Sequence, residues 1–123
     1  ITCGYGIEGD SARCKFSPET ENHYYTYAAV AARMLKAEHT AIAFSGIGLW
    51  QNYGGKKENT MPDLYSRVYP QNDSVLWDFG TWQPDAVVIN LGTNDFAKDN
   101  PPQQEFSKKF KDFVQKIKKR YPK

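Results

Sequence analysis

The chain has 123 residues, of which 40% are hydrophobic and 24% are charged, so it is long enough to bury one core of its own or to form part of a larger domain. No apolar run approaches the roughly 18 residues that a membrane span requires. The formal net charge is +2, and residues 101–123 carry eight Lys or Arg against two acidic residues. We interpret this basic end as a solvated helix face rather than a nucleic-acid interface, because its aromatic residues fall on the core-facing stripe.

The first segment contains a Gly-Asp-Ser triplet at residues 9–11, a motif that can mark a nucleophile in serine esterases. Such a nucleophile lies in a tight turn directly after a buried strand. Residues 1–8 contain two glycines and no apolar run, and the residues after Ser11 are charged and include a proline. We therefore expect Ser11 to lie in a surface loop and not to be the nucleophile.

The cysteines of the first segment leave two alternatives open. Cys3 and Cys14 could form a disulfide if the protein is secreted, or they could remain free thiols. A zinc site that uses His23 is disfavoured, because paired ligands at short zinc-type spacing are missing.

Residues 21–37 predict an amphipathic helix, with Asn22 as a possible N-cap and apolar side chains at spacings of three and four. Residues 40–46 (TAIAFSG) predict a buried strand that runs into a loop over residues 45–60. Residues 60–69 (TMPDLYSRVY) then predict a short helix, with Thr60 as N-cap and Pro62 in the first turn.

Residues 85–92 (DAVVINLG) give the strongest strand signal of the chain, because a run without polar alternation is typical of a parallel strand covered on both faces. Residues 101–122 predict a helix that starts at prolines and ends at Pro122. Its apolar stripe consists of Phe106, Phe110, Phe113, Val114 and Ile117. The order helix, strand, short helix, strand, helix is a βαβ alternation with strands missing at both ends. Residues 1–123 are therefore interpreted as part of one larger α/β domain.

Five stretches carry a resemblance to a known family. In order, they are ITCGYG, SPETENHYYTYAAVAARML, FSGIGL, TMPDLYSR and VINLGTNDF. Together they resemble the SGNH (GDSL-type) hydrolases, particularly the family 2 carbohydrate esterases, over almost the whole chain. The resemblance implies a three-layer, flavodoxin-like fold with a parallel sheet, only part of which lies in this chain.

The resemblance also implies where the catalytic groups stand. The serine nucleophile would be the residue immediately before Ile1, and the catalytic histidine would fall beyond Lys123. Neither His23 nor His39 corresponds to that histidine, and both are interpreted as structural or surface residues. No metal or organic cofactor is implied.

Two oxyanion donors would fall inside the chain, the backbone N–H of Gly46 and the side-chain amide of Asn94. A glycine lets the backbone approach the substrate closely, and asparagine offers a neutral donor. Asp95 would support them by holding nearby backbone. The alternatives are that Gly46 and Gly48 are only turn glycines and that residues 93–95 form only a helix cap or an Asx-turn.

Trp50, Tyr53 and Trp82 are candidates for a sugar-stacking wall, although core or rim packing is the simpler explanation for each aromatic residue alone. The function that the resemblance implies is that of a secreted serine esterase, which removes O-acetyl groups from plant polysaccharides such as acetylated xylan or mannan. Its partners would be that polysaccharide and the remaining segments of the parent domain. The rival from another class is a non-catalytic carbohydrate-binding module that keeps the cleft.

Overall fold

The structure is a computed structural model that describes residues 2–122 as two compact units, which divide between Ser45 and Gly46. The first unit contains two 3-10 turns, Pro18–Thr20 and His23–Tyr25, and helix α1, Tyr27–Leu35. The predicted N-cap Asn22 accepts from the backbone N–H of Tyr24, so it caps the second 3-10 turn. Thr26 caps α1 by accepting from the N–H of Ala29. The predicted helix is confirmed, but it begins later than expected because a separate turn precedes it.

The second unit contains helix α2, Met61–Leu64, strand β1, Arg67–Tyr69, strand β2, Asn72–Leu76, and helix α3, Gln103–Arg120. The predicted start of α2 is confirmed: Thr60 and Asp63 form a capping box, and a proline occupies the first turn. The backbone N–H of Thr60 donates to Asp63 Oδ2 at 2.9 Å. This cap satisfies backbone donors that a helix start otherwise leaves unpaired.

The predicted extent of α2 is wrong, because the helix ends at Leu64 and not at residue 69. The chain then forms an antiparallel hairpin in which Arg67 pairs with Leu76 and Tyr69 pairs with Asn72. Pro70 and Gln71 make the two-residue turn between the strands. A signal was present, since β-forming residues flank a Pro-Gln-Asn-Asp turn sequence, and a strand pairing outweighed the short helix pattern.

The two predicted parallel strands, residues 40–46 and 85–92, are not part of any sheet within residues 2–122. In that described part of the chain, the hairpin β1–β2 is the only sheet. A parallel strand exists only through hydrogen bonds to neighbouring strands. An apolar sequence run predicts that a strand can form, but it does not supply the neighbour.

The core of the second unit is formed by side chains from the loop after Ser45, from helices α2 and α3 and from the segments that follow α2. Its buried members are Leu49, Met61, Tyr65, Phe79, Phe113 and Ile117. The predicted apolar stripe of α3 is confirmed, because it buries Phe113 and Ile117 and partly buries the other three members. Phe113 meets the Tyr65 ring edge-on, with centroids 5.4 Å apart, a geometry that aromatic pairs favour.

Ionisable groups connect the helices around this core. Burial raises the pKa of the Tyr65 phenol well above its usual range, and the Tyr121 hydroxyl adds to that rise. Lys116 donates from Nζ to the carbonyl oxygen of Pro62 at 2.7 Å, which ties α3 to α2. Burial and then the nearby Arg120 lower the pKa of Lys116, while Asp63 opposes the change. Among residues 2–122, no helix combines the length and the apolar character needed to cross a membrane.

Candidate active site

The loop that opens the second unit begins at Gly46, which has a φ of 80°. A residue with a side chain is strained in this left-handed region, so glycine suits the position. The carbonyl oxygen of Gly46 accepts from the N–H of Tyr53 at 2.8 Å, which fixes the peptide. Within residues 2–122, the N–H of Gly46 itself has no acceptor. The backbone therefore offers one donor that the fold does not consume.

Asn94 lies in the turn after the apolar segment 85–92. The turn is closed by the N–H of Phe96, which donates to Gly92 O at 3.1 Å, and Gly92 has a φ of 127° that disfavours any side chain. The Asn94 side chain donates from Nδ2 to the carbonyl oxygen of Ile47 at 2.8 Å. A carboxamide carries two N–H groups. The second one has no acceptor in the described part of the chain, so it is available to a ligand beside the residue that follows Gly46.

Asp95 has no exposed surface, and its carboxylate accepts three backbone N–H groups. Oδ1 accepts from Trp50 at 2.6 Å and from Gln51 at 3.0 Å. Leu49 donates to Oδ1 at 3.1 Å and to Oδ2 at 3.0 Å. Burial of a carboxylate is costly unless hydrogen bonds compensate it, and three converging N–H donors provide that compensation. The side chain of Asp95 therefore holds the backbone of residues 49–51.

Gln51 completes this contact in the opposite direction. Its side-chain Nε2 donates to Asp95 O at 2.7 Å and to Asp99 O at 2.9 Å. There is no room for a side chain at Gly48, because a Cβ atom there would lie 2.0 Å from Gln51 O and 2.7 Å from Asp95 Oδ2. Sequence reasoning missed Gln51, and it considered Gly48 only as a possible turn glycine. The only signal was the polar residue that directly follows Leu49-Trp50 in an otherwise glycine-rich loop.

Asn52 organises the outer part of the same loop. Its Oδ1 accepts from the N–H of Gly48 at 3.0 Å, and its Nδ2 donates to Glu58 O at 2.8 Å. The N–H of Met61 donates to Gly48 O at 2.8 Å, which joins the loop to the start of α2. The loop that carries Gly46 is therefore held by hydrogen bonds to the Asp95 carboxylate, by its own residue Asn52 and by the start of α2.

The three residues of the predicted aromatic wall, Trp50, Tyr53 and Trp82, have different surroundings. The Trp50 ring is covered by Lys57, whose Nζ lies 3.8 Å from the ring centroid. Tyr53 is 70% exposed, and Trp82 is half-buried. No ring contact joins any two of these three residues in residues 2–122. Tyr53 is the member with an aromatic face open to a sugar.

Ser11 lies in an exposed turn of the first unit, as the sequence predicted. Its Oγ accepts from the N–H of Arg13 at 3.3 Å, and no histidine is hydrogen-bonded to it within residues 2–122. His23 and His39 stack on each other with ring centroids 5.1 Å apart. Cys3 and Cys14 are free thiols in this structure.

Comparison with known proteins identifies the family of the chain. Residues 1–123 match the GDSL-like lipase/acylhydrolase family. The chain is 43% identical over 122 residues to the cellulase/esterase CelE of Acetivibrio thermocellus, with 99% of this chain and 15% of that protein covered. It is 26% identical over 124 residues to an acetylxylan esterase/glucomannan deacetylase of Cellvibrio japonicus, with 99% and 34% covered.

Solved structures agree with these relatives. A family two carbohydrate esterase from Clostridium thermocellum, in complex with cellohexaose, superposes with a TM-score of 0.92 at 43% identity, over 98% of this chain and 37% of that one. A family two carbohydrate esterase from Cellvibrio japonicus superposes with a TM-score of 0.90 at 26% identity, over 98% and 36%. These superpositions confirm the predicted SGNH-type α/β fold class. The chain spans little more than a third of either solved relative, and it belongs to the GDSL-like lipase/acylhydrolase family.

Proposed function

We propose that the chain is the oxyanion-binding part of a carbohydrate esterase that removes O-acetyl groups from polysaccharides such as acetylated xylan or mannan. One observation carries the proposal. The Asn94 amide is hydrogen-bonded to the carbonyl oxygen of Ile47, the residue that follows Gly46 in the same loop. Two neutral donors that the fold does not use therefore come from neighbouring loops.

The chemistry of ester hydrolysis accounts for two such donors. Attack of a serine hydroxyl on an acetyl ester produces a tetrahedral intermediate, whose oxygen carries a developing negative charge. Donors fixed in advance stabilise that charge more than they stabilise the ground state. In this proposal, Gly46 N–H and the free N–H of Asn94 Nδ2 meet the oxyanion. The serine nucleophile and the histidine base belong to parts of the esterase outside these 123 residues.

The substrate side of the proposal rests on relatives and on one exposed ring. A relative of this chain is named an acetylxylan esterase/glucomannan deacetylase, and polysaccharides of that kind are met outside the cell, so we propose a secreted enzyme. Tyr53, with 70% of its surface exposed in the same loop as Gly46, offers a face on which a pyranose ring can stack. Trp50 would join it only after Lys57 moves from its ring.

Substitution of Asn94 tests the proposal in the full-length protein that contains these residues. Asn94→Ala removes a donor that acts chiefly in the transition state, so we expect kcat to fall about a hundred- to a thousand-fold while KM changes much less. Steady-state kinetics on 4-nitrophenyl acetate and on acetylated xylan measure both constants. Asn100→Ala is the matched control, because Asn100 is exposed and lies six residues further along the chain.

The same measurement distinguishes the second candidate, a non-catalytic carbohydrate-binding module. The complex of a solved relative with cellohexaose favours this candidate, because it shows a related chain holding a sugar polymer. If Asn94 only binds sugar, Asn94→Ala raises KM or weakens polysaccharide binding and leaves kcat intact. That result would overturn the oxyanion role.

A further inference from the structure

Gln51 is a constrained polar side chain that contacts the neighbour of the proposed donor Asn94. It is 5% exposed, and its backbone N–H donates to Asp95 Oδ1 at 3.0 Å. Its side-chain Nε2 donates to Asp95 O at 2.7 Å and to Asp99 O at 2.9 Å. The two N–H groups of one carboxamide are thus both used on the backbone of residues 95–99. Neither is left to bind a ligand, so any role of Gln51 in catalysis is indirect.

The chemistry of this contact requires a neutral side chain with two donors. Both acceptors are backbone carbonyl oxygens, and a buried carbonyl oxygen is costly to leave unpaired. Glutamate at this position would present oxygen to oxygen beside the buried Asp95 carboxylate. Methionine has a similar length and volume but no donor, and asparagine has the donors but is one methylene shorter. Glutamine alone among these combines the reach with both donors.

The contact acts on Asn94 through its neighbour in the chain, Asp95. Asp95 is bound through its side chain by the backbone of residues 49–51 and through its carbonyl oxygen by the side chain of Gln51. The two loops approach each other so closely at Gly48 that a Cβ atom there would lie 2.7 Å from Asp95 Oδ2. Because Asp95 is held through both its side chain and its carbonyl oxygen, it limits the movement of the adjoining backbone, from which the side chain of Asn94 starts.

We propose that Gln51 is a positioning residue for the oxyanion donors: by anchoring the backbone of residues 95 and 99, it holds the Asn94 amide at its distance from Gly46. This inference rests on the proposed function. It assigns to Gln51 an effect on the transition state without any contact to substrate. Displacement of a catalytic group by about 1 Å can cost on the order of a hundred-fold in rate, so an anchor of this kind has a measurable consequence.

The test is Gln51→Met in the full-length protein, with kcat and KM measured on 4-nitrophenyl acetate. We expect kcat to fall about ten- to a hundred-fold, with KM changed less than about two-fold. The decisive measurement is the double variant with Asn94→Ala. If Gln51 acts by placing the Asn94 amide, Gln51→Met costs less than about three-fold once that amide is gone.

Two further variants separate positioning from general loss of structure. Gln83→Met is the matched control. Gln83 also donates from its side-chain Nε2 to a backbone carbonyl oxygen, that of Phe79 at 2.7 Å, and this contact does not involve the loop of residues 95–99. It should lower the melting temperature and leave kcat within about two-fold. Gln51→Asn keeps an amide at the position and should show a smaller loss of kcat than Gln51→Met. If Gln51→Met does not fold, Gln51→Asn is combined with Asn94→Ala instead.

The outcomes distinguish this inference from the proposal beneath it. An unchanged kcat in Asn94→Ala would overturn the proposed function, whatever Gln51 does. A large loss in Asn94→Ala together with an unchanged kcat in Gln51→Met would overturn the positioning role alone. The positioning role would also be overturned if the loss of kcat in the double variant equalled the product of the two single losses, because the two substitutions would then act independently. A loss in Gln51→Met that disappears in the Asn94→Ala background supports the inference.

Discussion

Asn94 and Asp95 are consecutive polar residues whose side chains hold the same loop by opposite chemistry. Asn94 donates to the carbonyl oxygen of Ile47, while Asp95 accepts the N–H groups that begin two residues later, at Leu49. An amide keeps one donor after making its contact, whereas the carboxylate spends its acceptors on the backbone. This difference explains why the donor position suits asparagine and the neighbouring buried position suits aspartate.

The sequence could predict some of these residues and not others. The resemblance to SGNH hydrolases pointed to Gly46 and Asn94 because their motifs are short and contiguous. Gln51 and Gly48 act through contacts with a loop that lies more than 40 residues away along the chain. Nothing local in a glycine-rich loop indicates such a partner. Their part in the site follows only from the folded geometry.

Ser11 gives a test at this scale. The exposed turn around Ser11 lacks the strand that would position a nucleophile, and its Oγ accepts from the N–H of Arg13. Ser11→Ala in the full-length protein should therefore leave acetyl-ester hydrolysis within a few-fold of the unsubstituted enzyme, as steady-state assays on 4-nitrophenyl acetate will show. A loss on the order of a thousand-fold, which loss of a true nucleophile produces, would restore the Gly-Asp-Ser triplet as the catalytic motif.

Among the elements, the helices followed their local sequence signals and the strands did not. The cap of α2 at Thr60 and the stripe of α3 are properties of residues three or four positions apart, which a sequence displays directly. The segments 40–46 and 85–92 have strand composition, yet their pairing depends on partners remote in the chain. The hairpin β1–β2 was missed because the helix that begins after Thr60 was predicted to continue to residue 69, whereas it ends at Leu64.

Helix α3 provides the prediction at the element scale. Phe113 is 4% exposed and packs edge-on against Tyr65. Phe113→Ala deletes a large buried ring between α3 and α2 and should lower the free energy of unfolding by about 3–5 kcal/mol. Urea denaturation of the full-length protein measures the change.

Phe110→Ala is the matched control on the same helix, because Phe110 is only half-buried. It should cost less than half as much as Phe113→Ala. Equal losses for the two variants would contradict the placement of the core between α3 and Tyr65, because burial depth would then have no effect.

Across the whole molecule, the distribution of apolar surface is uneven. Val88 is 80% exposed in the middle of the strongest predicted strand, and Met34 is 80% exposed at the end of α1. Large apolar side chains are seldom left so open in contiguous segments of a stable domain. The solved relatives contain nearly three times as much chain as the part that superposes on these residues. The exposed apolar segments are where additional strands and helices of such a domain would pack.

The 123 residues produced alone should therefore be marginal in stability and inactive toward esters. A domain is stable by only about 5–15 kcal/mol. The segments 40–46 and 85–92 leave large apolar side chains such as Phe44 and Val88 exposed, and each such side chain forgoes about 1.5–3 kcal/mol of burial, so the isolated chain lacks much of that total. We expect a shallow, non-cooperative thermal transition by circular dichroism, binding of the dye ANS to the exposed apolar surface, and no acetyl-ester hydrolysis. Addition of the remaining segments of the full-length protein should sharpen the transition and suppress ANS binding. A sharp two-state melt together with esterase activity of the isolated chain would show that these residues already contain a complete sheet and a complete catalytic set. That result would contradict the finding that residues 85–92 belong to no sheet in the described part of the chain. It would also contradict the assignment of Gly46 and Asn94 as donors to a nucleophile located elsewhere.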